Sequence, residues 1–139
     1  MKKIWMIAII AVALLLSPAI RADMVRLQEL SYGGKTRVFE VDRDLFMRSG
    51  KLSPETEALV PSIQEASQLI LEYSKAHHPQ VKEFLITSIS LNSVLLSTAP
   101  RRWYFYFRIN PVVEGEVANT TTFDLIMLFD RTIISAREL

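Results

Sequence analysis

The spacing of apolar and polar residues changes its beat along this chain. Ile63, Ala66, Ile70 and Tyr73 recur every three to four positions, with Leu69 beside them. Gln64, Glu65, Gln68, Glu72 and Lys75 take the other side. That period predicts an amphipathic helix that covers one face of a partner layer. From Glu83 onward the period is two. In residues 83–96, Leu85, Thr87, Ile89 and Leu91 share one face, and Phe84, Ile86, Ser88 and Ser90 share the other, which predicts a strand. Residues 102–109 alternate again. Trp103, Phe105, Phe107 and Ile109 point one way; Arg102, Tyr104, Tyr106 and Arg108 point the other. A third strand over 122–130 carries Phe123, Leu125, Met127 and Phe129 on one face. A short fourth strand over 132–138 follows a turn at Asp130-Arg131.

Glycine, proline and capping residues punctuate these segments. Residues 24–32 and 35–41 are short extended runs joined by Gly33-Gly34, which supplies the positive φ of a two-residue turn and predicts a β-hairpin. Residues 42–51 read as loop or one short irregular turn. Ser53-Pro54-Glu55 is a helix start, and Ser62-Ile63-Gln64-Glu65 is a capping box. They define a short helix 54–60 followed by a main helix 62–76, or one longer helix bent at Pro61. The main helix ends near His77-His78-Pro79 because proline disfavours helix in the residue before it. Ser97 to Pro100 turns, and residues 110–121 form a long loop. The expected architecture is α+β: one main amphipathic helix packed on an antiparallel sheet, with an N-terminal β-hairpin, in a single domain over 23–139.

The two faces of the 102–109 strand differ in what they can do. The Trp103, Phe105, Phe107 and Ile109 set is wholly apolar and belongs under Ile63, Ala66, Ile70 and Tyr73. The other set, Arg102, Tyr104, Tyr106 and Arg108, is large and amphipathic, of a composition enriched in contact surfaces and equally at home on a solvated strand. Ile126 and Leu128 lie on the same outward side of the next strand and extend the patch. An apolar patch of that size marks an interface or is covered by another element. The candidate contact residues are therefore Arg102, Tyr104, Tyr106, Arg108, Ile126 and Leu128. The hairpin is the element able to cover them.

Charge changes meaning once the N-terminus is read. Met1-Lys2-Lys3, the apolar run from Ile4 to Leu16 and the small-residue stretch to Ala22 have the layout of a secretory signal peptide. Cleavage falls after Ala22 or after Ala19. The alternative is an uncleaved anchor, the one route by which this chain would meet a membrane. Removing residues 1–22 takes away Lys2, Lys3 and Arg21 and no acid, so the formal net charge moves from +1 to −2. The expected location is exported, periplasmic or secreted. A slightly acidic domain is a poor match for nucleic acid, whose binding rests on neutralising phosphates.

The 139-residue chain has no cysteine, which rules out thiolate chemistry and disulfides. His77 and His78 splay apart and lack a third ligand, so no metal site is expected and the pair reads as solvated. No phosphate-cradling glycine loop or nucleophile elbow is present, so no catalytic residue and no cofactor are assigned. Asn119-Thr120-Thr121 matches the glycosylation acceptor pattern.

The segments "SIQEASQLILEYSKAHHP", "RRWYFYFRI" and "FDLIMLFDRTIISARE" together resemble the PepSY-like and broader cystatin-like exported domains over about residues 60–139. Trp103 matches the tryptophan that opens a strand in that pattern. Asp130-Arg131 stands where the pattern has Asp-Gly. The resemblance implies a non-catalytic domain that contacts other polypeptides, through a protein partner or self-association. The inhibitory cystatin signatures are missing, so protease inhibition is not carried over. The competing expectation is a cone-shaped fold of the nuclear transport factor type, enclosing a small-molecule pocket. That reading requires an inward ionisable group, for which Asp124 is the test case.

Overall fold

The computed structural model describes residues 23–49, 60–96, 101–118 and 122–139. The expected signal segment, the start of the expected helix 54–60, the 97–100 turn and the Asn119-Thr120-Thr121 pattern lie outside the described residues. The described residues are α+β, with two antiparallel sheets and two helices. No helix among the described residues is long and apolar enough to cross a membrane.

The N-terminal hairpin pairs β1 (Met24–Tyr32) with β2 (Lys35–Asp42). Gly33 and Gly34 have φ of 61° and 77°, the conformation that a two-residue hairpin turn needs. Residues 42–51 were expected to be irregular, but Arg43–Ser49 forms α1, started by Asp42, whose carboxylate accepts from the Leu45 amide. The main helix, α2 (Ile63–His77), starts on Ser62, whose hydroxyl accepts from the Glu65 amide at 3.1 Å. Its buried row is Ala66, Ile70 and Ser74, at four-residue spacing. Ile63 was expected in that row and is 61% exposed; the packed stripe begins one turn later.

The larger sheet runs β3 (Glu83–Val94), β4 (Arg102–Val113), β6 (Phe123–Met127) and β7 (Ile133–Ser135), with β5 (Glu116–Val117) folded back on β4. The expected 110–121 loop is thus half strand. β4 runs on to Val113, turns at Glu114-Gly115 and returns. The expected fourth strand divides. β7 stays in the larger sheet, and β8 (Arg137–Glu138) joins β2 as the third strand of the smaller sheet.

The expected alternation of β3 fails at one residue. The β3–β4 register slips between Ile86 and Ser88, leaving Thr87 as a bulge whose hydroxyl donates to Asn110 Oδ1 at 2.8 Å. Ile86 stands opposite Ile109, Ile89 opposite Phe107 and Leu91 opposite Phe105. The bulge therefore brings Phe84, Ile86, Ile89 and Leu91 onto one face, the α2 side, and sends Leu85 to the other.

The larger sheet is buried on both faces. Against α2 it packs Phe84, Phe105, Phe107, Ile109, Leu125, Met127 and Phe129 around Ala66 and Ile70. Against the hairpin and α1 it packs Tyr104, Tyr106, Ile126 and Leu128 around Val25, Leu27, Phe39, Val41 and Phe46. The molecule has three layers: helix, larger sheet, and hairpin with α1. The Tyr104 hydroxyl donates to the Leu27 carbonyl at 3.1 Å. Leu27 sits where the β1–β2 register slips, outside the regular ladder, so this bond serves a buried acceptor at the bulge.

Tyr104→Phe leaves that carbonyl unpartnered and is expected to cost about 1–3 kcal/mol. Urea unfolding should show a lowered midpoint with an unchanged slope.

Candidate functional site

The hairpin relocates the candidate contact face. Tyr104 and Tyr106 are 3% and 6% exposed, Arg102 is 7% exposed, and Ile126 and Leu128 are fully buried. These five were expected on an accessible face and are interior, which corrects that expectation. The physical reason is the third layer. Phe39 meets Tyr106 edge-on at 6.1 Å, Phe46 meets Tyr104 at 6.4 Å, and Arg102 Nε donates to the Met47 carbonyl in α1. Of the six residues, Arg108 alone keeps an exposed side chain. Its Nε contacts Asp124 Oδ1 at 3.3 Å.

Asp124 lies opposite Arg108 in the β4–β6 ladder and so on the hairpin side, away from Trp103 and Phe105, as the alternation predicts. Its side chain is only 12% exposed, because it lies at the back of a cleft of about 420 Å³. The cleft arises where the two sheets part. The β6–β7 ladder ends at Leu125 and Ser135; Ala136 then crosses over and Arg137–Glu138 pair with β2. The edge of β6 at Phe123 and Asp124 is left without a β7 neighbour. The gap is bounded by the C-terminal turn of α2, through Tyr73, Ser74, His77 and His78, and by Leu30 and Arg37 of the hairpin. A smaller cleft of about 300 Å³ shares Leu30, Arg37 and Asp124 and extends along the hairpin tip to Tyr32 and Lys35.

The charges here have a definite balance. Asp124 is held by Arg108, and Lys35 by Glu138 at 3.0 Å. Arg37 forms no ion pair with any described residue. Alternation places Arg37 on the face of β2 that carries Phe39 and Val41, so a cation stands at the end of an apolar row. The histidines do splay, but they are not both solvated. His77 stacks on Tyr73 at 3.8 Å, whereas the half-buried His78 lies over Phe123 at 4.2 Å. Arg37, His78, Phe123 and Ser135 were missed as site residues. Arg37 had a readable signal, a charge in register with two core positions of the hairpin. The others come together only through the tertiary fold.

Tyr106 borders the Arg108–Asp124 pair, and both side chains act on its buried hydroxyl. Burial, together with the negative charge of Asp124, pushes its phenol up to about 12, against an opposing effect of Arg108. Burial also raises the Tyr104 phenol. Comparisons with family models, curated proteins and solved structures find no match in any of the three.

A tyrosine whose folded pKa is raised adds stability in full below its unfolded value of about 10, and that contribution is lost as pH climbs through the folded value. Unfolding free energy is therefore expected to fall between about pH 10 and 12. Tyr106→Phe should reduce that fall. Denaturant titrations at stepped pH check this outcome.

Proposed function

We propose that this domain binds a small amphipathic carboxylate in the cleft between the hairpin, β6 and the end of α2. The observation that carries this reading is Arg37, a cation with no ion pair among the described residues, lining a cleft whose own acid is already neutralised by Arg108. Leu30, Tyr73, Phe123, Leu125 and Ala136 offer apolar surface for the body of such a ligand. The volume falls in the range of small-molecule sites, which pair apolar walls with a few placed polar groups. Ser74 and Ser135 are the neutral polar groups beside them. This keeps the small-ligand reading tied to Asp124, with the cleft at the parting of two sheets in place of the interior of a cone.

For the fold class, we infer that α2 and the larger sheet form a PepSY-like or cystatin-like layer to which the hairpin is added. Trp103 near the start of β4 supports this, as does the left-handed φ of 74° at Arg131, where that pattern carries glycine. An exported location fits the same reading.

Octanoate and octanol are suitable probes because they share a chain and differ in charge. In amide NMR titrations octanoate should shift residues 37, 123–125 and 135–136, and octanol should bind much more weakly. Arg37→Gln should weaken octanoate about tenfold or more, the loss of one charge-assisted hydrogen bond, while leaving octanol unchanged. Equal binding of the two probes, or an unaltered Arg37→Gln, would contradict the assignment.

A further inference from the structure

β3 is the outer strand of the larger sheet, with β4 as its one ladder partner among the described residues. Residues 84–96, "FLITSISLNSVLL", hold no charge, proline or glycine. Natural edge strands are usually guarded by lysine, proline or shortness, and this one is twelve residues long. Its single bulge, at Thr87, leaves Ser88–Val94 in regular register with β4. Ile89 is 37% exposed and Leu91 47%, both on the α2 side. An edge that no described strand covers, with aliphatic side chains on one face, suits the addition of a strand.

We propose that the occupant is a second copy of this chain, paired antiparallel through β3 about a two-fold axis near Ser90. The sequence is self-complementary in that register. With Ser90 facing Ser90 of the second copy, Ile89 of each chain stands opposite Leu91 of the other, so two aliphatic cross-strand pairs form at once. Like charges never meet, because Lys82 and Glu83 at the start of the strand fall at opposite ends of the pairing. A closed two-fold contact of this kind consumes the edge in both copies and stops there. The two larger sheets become one continuous sheet, with the Arg37 cleft of each copy at its distal end, over β6.

The chain has no cysteine, so one introduced thiol reports the axis directly. Expressed as the full chain, so that any processing takes its natural course, Ser90→Cys should give a covalent dimer under mild oxidation. Lys82→Cys should not, since its two copies would be roughly 50 Å apart at ~3.3 Å per residue. Sedimentation equilibrium should show a dimer for the unaltered chain and at least tenfold weaker association for Leu91→Lys, a solvent-side change that spares the core. A monomer at all concentrations overturns the proposal. So does equal cross-linking of Ser90→Cys and Lys82→Cys, or a Leu91→Lys that dimerises unchanged. A monomer that instead accepts a foreign extended peptide along residues 88–94 also overturns it, by assigning the edge to another partner.

Discussion

The fold depends on a single strand being buried on both sides. β4 sends Phe105, Phe107 and Ile109 into the helix-side core, and Tyr104 and Tyr106 into the hairpin-side core. A strand with one wet face would need only α2. With tyrosines on the second face, apolar ring surface must be removed from water while each hydroxyl still seeks a partner. The hairpin answers the first demand in both cases and the second in one. Tyr104 reaches the Leu27 carbonyl, whereas the Tyr106 hydroxyl lies beside Arg108 and Asp124 of the larger sheet.

The cleft follows from the same layering. Once the hairpin is laid over the larger sheet, the C-terminal strand has to close both sheets, and it does so by leaving one for the other at Ala136. Three residues in β7 and two in β8 are too short to seal the seam along its whole length. Asp124 and Arg37 come to the opening from different sheets, and among the described residues the first has an ion-pair partner and the second has none. The surplus positive charge is thus a result of topology and belongs to no local motif.

Periodicities and turn signals were enough to read much of this. The packing of Ala66 and Ile70 in α2, the serine cap, the Gly33-Gly34 turn and the two-sided division of β4 all follow from side-chain geometry acting over a few residues. What escaped was set by single residues or by distance. One bulge at Thr87 reverses the facing of half of β3, and nothing in a neutral serine and threonine run marks it. Asp42 as the cap of α1 was a local signal that could have been used. The burial of Tyr104 and Tyr106 is decided by a hairpin more than sixty residues earlier in the chain. Alternation reports which way a side chain points, never what waits there.

The most direct check on this layering is the chemical reactivity of individual tyrosines. Tyr32, at the hairpin tip, is 85% exposed and serves as the internal reference. Under brief treatment with tetranitromethane, followed by peptide mass mapping, Tyr32 should be nitrated while Tyr104 and Tyr106 stay protected until the protein unfolds. Nitration of Tyr104 and Tyr106 at the rate of Tyr32 in the native protein would mean that the hairpin does not cover the sheet, and would contradict the account.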